Sequence, residues 1–165
     1  KIIAEADLLS SYYQYLEKTF KQNRYFLFAE RNFHLKGNHY FNMKAESAML
    51  DSDGEITTNE LFRIGGYNSL RGFNEQSLFT DFYAFGGVEY RYLVSSQAFF
   101  DVFGQLANVR NSTLKTTSKL YSFGLGFNFI LPIGLMTFQI SNGQEFNNPF
   151  KFQDTKIHWG IISKF

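Results

Sequence analysis

From Tyr121 to Leu131 every second residue is large and apolar: Tyr121, Phe123, Leu125, Phe127, Phe129 and Leu131, with Ser122, Gly124, Gly126 and Asn128 between them. A period of two puts the two sets on opposite faces of a β-strand. One face suits an apolar medium and the other is small and wet. A water-soluble sandwich would carry Lys, Glu and Thr on its second face. Small residues opposite bulky aromatics suit the wall of a transmembrane barrel, whose outside touches lipid and whose inside must admit a folded-in segment. The alternation therefore predicts that Tyr121, Phe123, Leu125, Phe127 and Phe129 face lipid and that the intervening set faces the lumen.

The rest of the composition agrees. The 165 residues include 21 Phe and 10 Tyr but only two Pro and no Cys, a density of aromatics that favours pleated, half-buried strands. No apolar run approaches the roughly 18 residues of a membrane helix, so a helical membrane protein is excluded. A net charge of +1 and the lack of a basic cluster argue against nucleic acid as a partner. The absence of cysteine fits passage through an oxidising periplasm without disulfides, as it fits many cytosolic proteins. Lys1 is not an initiator, and the charges of Lys1, Glu5 and Asp7 do not fit the apolar core of a signal peptide; the chain reads as a mature or truncated piece.

Along the chain, strands are expected over about 8–20, 24–35, 39–50, 78–93, 97–108, 121–131, 135–141 and 155–165, with Lys21-Gln22-Asn23 as a turn after the first. The later connections alternate: short at 36–38, 94–96 and 132–134, long at 51–77, 109–118 and 142–153. A transmembrane barrel has this asymmetry, with short periplasmic turns and long outer loops. A loop as long as 51–77 is usually functional.

Other chemistry fails on spacing. Asp51, Asp53, Gly54 and Glu55 invite a calcium loop, but the glycine falls at the fourth position and Phe62 at the twelfth. His34, His39 and His158 lie on separate strands or turns without carboxylates at ligand spacing. Gly124-x-Gly126 has no following helix, and Ser69 lacks a nucleophile elbow. No catalytic constellation, cofactor site or metal site is expected.

Within the long loop stands Gly65-Gly66-Tyr67-Asn68-Ser69-Leu70-Arg71-Gly72-Phe73. With its lead-in Asn59 to Gly66 it resembles the Gly-Gly…(Val/Leu)-Arg-Gly-Phe/Tyr loop of the outer-membrane assembly and secretion barrels, the superfamily of BamA, TamA and the two-partner-secretion transporters, especially those of Bacteroidetes-type bacteria. Phe99-Phe100-Asp101-Val102-Phe103-Gly104 resembles that family's Phe-x-Asp-x-Gly strand, with Gly104 one residue late. The resemblance covers roughly residues 39–165. It implies an all-β fold, about eight carboxy-terminal strands of an antiparallel transmembrane β-barrel of about sixteen, with 51–77 an extracellular loop folding into the lumen. A closed eight-stranded barrel is the less favoured alternative. It also implies a luminal lock formed by Arg71, Gly72 and Phe73 against Glu89 and Asp101, and a carboxy-terminal barrel signal in which His158, Gly160 and Phe165 fit and Ser163 replaces an apolar residue. Counting outward from a turn at 94–96 sets Glu89 directly opposite Asp101, a repulsive pair that calls for a cation between them. The plain alternative for Arg71 is a solvated loop arginine.

The function so implied is insertion of outer-membrane proteins or protein export in the bacterial outer membrane. Its partners would be the outer-membrane bilayer, client outer-membrane or secreted polypeptides, and periplasmic or lipoprotein accessory subunits. The alternatives are a passive outer-membrane pore or scaffold barrel, or the membrane anchor of an enzyme whose catalytic domain lies elsewhere.

Overall fold

The computed structural model describes residues 2–15 and 18–162. Eight long strands form one antiparallel sheet: β1 (Ile2–Tyr15), β2 (Lys18–Lys36), β3 (His39–Ser52), β6 (Phe82–Ser95), β7 (Ala98–Asn111), β8 (Thr116–Leu131), β9 (Gly134–Glu145) and β10 (Lys156–Ile162), adjacent in that order. Between β3 and β6 a two-stranded ribbon, β4 (Phe62–Ile64) with β5 (Leu78–Thr80), lies apart from the sheet. β1 and β10 are not paired with each other among the described residues, so the sheet is an open wall. No helix among those residues is long and apolar enough to cross a membrane, which leaves crossing by strands untouched.

The wall is inverted relative to a soluble protein. On one face Val102 and Leu106 are 58% and 60% exposed and Leu125 is 57% exposed; on the other Asp101, Gln105, Asn128 and Gln139 are 5% exposed or less. The outer apolar stripe of β8, from Tyr121 to Phe129, spans eight steps of about 3.4 Å, or about 27 Å along the strand. With a tilt of about 40° that approaches the roughly 25 Å apolar band of outer-membrane barrels. Its period-two alternation is the one expected from sequence, with Ser122 and Asn128 buried on the inner face.

The ladders run further than the apolar pattern. Lys21-Gln22-Asn23 is no turn: it lies inside β2, with Gln22 paired to Ser11 and Asn23 to Ser10. The first strand is Ile2–Tyr15 rather than 8–20. Likewise β7 and β8 continue to Asn111 and from Thr116, and β9 continues to Glu145, so the loops expected at 109–118 and 142–153 shrink to 112–115 and 146–155. Beyond the lipid band a strand has no reason to alternate apolar with polar, and only its hydrogen bonds persist. At the opposite end the turns are tighter than expected, with Gly37-Asn38, Ser96-Gln97 and Pro132-Ile133 between paired strands. Gly37 has φ of +59°, a conformation that suits glycine in so tight a turn.

The loop between β3 and β6 packs against the strands to form the apolar core. Ile64 and Leu70 pack with Ala48, Tyr83, Phe85, Ala107 and Leu120, and Phe62, Phe73 and Leu78 lean against that cluster. The core thus lies between the folded-in loop and the inner face of the wall.

Candidate functional site: the arginine loop against the inner wall

β4 and β5 carry the chain inward and hold the turn from Gly65 to Ser77 as a compact tongue. Gly65, Gly66 and Gly72 have φ of +112°, +96° and +87°, a region that side-chain-bearing residues rarely enter. Ser69 Oγ accepts from the Gly65 amide at 2.8 Å, and the Gly66 amide donates to Leu70 O at 3.1 Å. Leu70, fully buried, is the tongue's apolar anchor. Full burial of a leucine contributes about 1.5–3 kcal/mol.

Contact with the wall is closest at Gly72. A Cβ there would stand 2.7 Å from the backbone of Asn142 and Gly143, and a Cβ on Gly143 would stand 2.5 Å from the Phe73 ring. Two glycines and a ring therefore let the tongue lie flat on β9.

Arg71 occupies the middle of the inner face. Its Nη1 donates to Glu89 Oε2 at 2.7 Å and lies 3.8 Å from Asp101 Oδ2. The guanidinium centre sits 3.5 Å from the Phe103 ring centroid. The Arg71 amide donates to Gln105 Oε1 at 2.9 Å, and Gln105 Nε2 donates to Ser69 O at 3.1 Å, so one glutamine grips the tongue's backbone twice. The carboxylates have further partners: Arg91 pairs with Glu89, and Asn128 Nδ2 donates to Asp101.

The register that brings these groups together differs from the expected one. Glu89 pairs with Phe103, and Asp101 with Arg91. The turn lies at Ser96-Gln97 and an irregularity falls between Leu93 and Ser95, which shifts every pair by two residues and keeps both carboxylates on the inner face. Directly opposed acids are thus avoided: Asp101 stands directly across from Arg91, and Glu89 lies two residues along the same strand from that arginine.

Phe103, Gln105 and Gly143 escaped the sequence reading. Phe103 stands two residues after Asp101, where the Phe-x-Asp-x-Gly resemblance would place glycine, and it offers its ring face to Arg71 instead. Gly104 points outward, beside Val88 and Phe123. The signal for Phe103 and Gln105 was available, because period two puts both on the face of Asp101. Gly143 carried none, as close backbone approach leaves no mark in a single sequence. His158 pairs with Gln139 and Gly160 with Thr137, at the far edge of the wall; Ser163 and Phe165 lie outside the described residues.

A long-stranded wall with lipid-compatible residues outside, polar residues inside and an arginine-tipped loop folded onto its inner face defines a transmembrane β-barrel with an internal tongue. The family model of the Omp85 superfamily domain matches residues 4–165, and the chain belongs to that superfamily. At the family level this makes it an outer-membrane β-barrel of the insertion and transport type. No curated protein matches the chain.

Proposed function

We propose that this chain forms part of a barrel that inserts outer-membrane proteins or exports polypeptide, with the arginine tongue as an internal latch and the β10 edge as the place where client strands engage. The observation that carries the reading is the Arg71 constellation: a cation held by Glu89, Asp101 and a ring, on a tongue also seated by Leu70, Gln105 and the close approach of Gly72. A tongue whose tip is held by charge can be released when those contacts break, which suits a latch. The β10 edge supports the second half. β10 is the last strand of the sheet and its outer edge has no partner among the described residues, and such an edge can take up an incoming strand by β-augmentation. The long connections would face outward and the two-residue turns the periplasm.

The test places a photo-crosslinking residue at Ile161 on β10 in the full-length protein in cells. Adducts with newly made outer-membrane or secreted polypeptides are expected, and Arg71→Ala should reduce them while barrel levels hold. A folded barrel yielding no polypeptide adduct would favour the passive scaffold.

A further inference from the structure

The connection between β9 and β10, residues 146–155, leaves the wall on its outer side. The Phe146 ring meets Tyr121 edge-on at 5.3 Å and the Phe150 ring stacks on Phe123 at 6.0 Å. Tyr121 and Phe123 belong to the outer apolar stripe of β8, so this segment folds over the lipid-facing surface and not over the lumen. Phe146, Phe150 and Phe152 nevertheless remain 55%, 53% and 79% exposed.

Charge is sorted around them. Lys119 stands one outward step above Tyr121, and its carbonyl accepts from the Phe146 amide at 2.9 Å. Lys115 lies in the adjoining 112–115 turn, and Lys151 lies between Phe150 and Phe152. All three are exposed, and none forms an ion pair among the described residues. Of the acids of this region, Glu145 shares the inner face with buried Leu120, and Asp154, half-buried on the outer side, is occupied in accepting from the buried Gln144 at 2.8 Å.

A single exposed phenylalanine needs no explanation. Three of them, continuous with a lipid-facing stripe and crowned by free lysines, match the headgroup layer, where rings sit among the upper acyl chains and ammonium groups meet phosphate. We propose that this outer rim segment is a lipid-binding surface, with Phe146, Phe150 and Phe152 in the interface and Lys115, Lys119 and Lys151 on the phosphates of anionic lipids. The patch continues the lipid-facing stripe through Tyr121 and Phe123, which favours a bilayer over a folded protein as its cover. The proposal depends on the wall spanning a membrane and not on client insertion, so its failure and that of the proposed function are separable.

The test uses the full-length protein, freed of any other cysteine and reconstituted in vesicles. Single cysteines at Phe152 and, as a water-side control, at Asn148 carry a fluorophore. Acrylamide should quench the label at 148 readily and the label at 152 at most half as well. Phosphatidylglycerol bearing a headgroup quencher should quench position 152 about threefold more than phosphatidylcholine bearing the same quencher at low salt, and less so as salt screens the charges. The triple variant Lys115→Gln, Lys119→Gln, Lys151→Gln should bring that ratio to about one while heat-modifiable mobility stays normal. Equal acrylamide quenching at 148 and 152 would overturn the interfacial placement. Equal quenching by the two lipids in the parent protein would overturn the lysine–phosphate contact.

Discussion

Arg71 is held by contacts of unequal size. The 2.7 Å bond to Glu89 is direct, whereas Asp101 at 3.8 Å adds attraction without a bond. A charge-assisted hydrogen bond contributes about 1.5–3 kcal/mol, and a desolvated cation–ring contact like that with Phe103 can add about 2 kcal/mol. Lysine would keep the charge but lose the fork and the flat stack. Arg71→Ala should therefore loosen the tongue while the barrel still inserts, and Arg71→Lys should be nearly as damaging. The measurement is a double-mutant cycle read by protease protection of the 53–81 segment. Coupling of Arg71→Ala with Glu89→Ala should exceed that with Asp101→Ala; additivity in both cycles would make Arg71 a solvated loop residue. The glycines provide a second contrast. At Gly66 an added Cβ meets the end of the Glu75 side chain, and at Gly72 it meets the backbone of β9. Both substitutions incur about 1–3 kcal/mol of strain at positive φ, but only the second collides with something that cannot swing aside. Gly72→Ala should expose the tongue to protease far more than Gly66→Ala, and equal exposure would refute the close seating on β9.

At the scale of elements, the tongue is fastened at its exit as well as its tip. Asp81, just after β5, accepts from Arg110 Nε at 2.9 Å, Arg110 Nη2 at 2.7 Å, the Ser112 amide at 2.5 Å and Ser112 Oγ at 3.0 Å. This clasp lies beyond the lipid band, where the outer residues are Asn108 and Arg110. Burial pushes the Asp81 carboxyl upward, but the Ser112 bonds and the Arg110 guanidinium outweigh it and leave the group below its ordinary value of 3.8. A carboxyl with a depressed folded value stabilises the folded state above its unfolded value and loses that contribution as pH falls through the folded one. Protease protection of the 53–81 segment should thus be flat from neutral pH to about pH 4 and fall below it. Asp81→Asn should already be less protected at neutral pH and should lack that fall. An unchanged acid profile in the variant would remove Asp81 from the clasp. How legible these elements were from the sequence depended on what each residue faces. β8 could be read because lipid and lumen impose opposite demands on alternate residues. Gln22 could not, because it bonds to Glu60 Oε1 at 2.9 Å, 38 positions away, above the lipid band, where polarity looks like a turn. The Arg71–Glu89–Asp101 grouping came through the loop's resemblance and the period-two face of each acid. The register came out wrong by two residues because turn length and an irregularity at 93–95 have no periodic signal.

At the scale of the whole molecule, the wall's two ends differ from its middle. Every interior strand pairs with a neighbour on each side, whereas β1 and β10 each present one row of N–H and C=O groups with no partner among the described residues. Such a row costs several kcal/mol per group in hydrocarbon, so in a bilayer it must pair, either with further wall or with a passing strand. The lining thins toward β10: at Gly124 and Gly126 on β8 the Phe103 ring and the Asp101 carboxylate fill the space a Cβ would take, whereas Gly160 on β10 has nothing within 4 Å of where a Cβ would stand. The latch and the edge therefore sit on the same side of the wall, with Gly72 and Phe73 resting on β9, the strand that carries β10. Seating the tongue should brace β9 and leave β10 the least protected strand. Hydrogen exchange on the full-length protein in nanodiscs should show β10 amides exchanging at least about tenfold faster than those of β7, a difference of about 1.4 kcal/mol in opening free energy. Gly72→Ala should extend the fast exchange into β9 while β6 and β7 are unaffected. β10 amides as slow as those of β7 would mean a seam closed as firmly as the rest of the wall, and client entry by strand addition at that edge would then be ruled out.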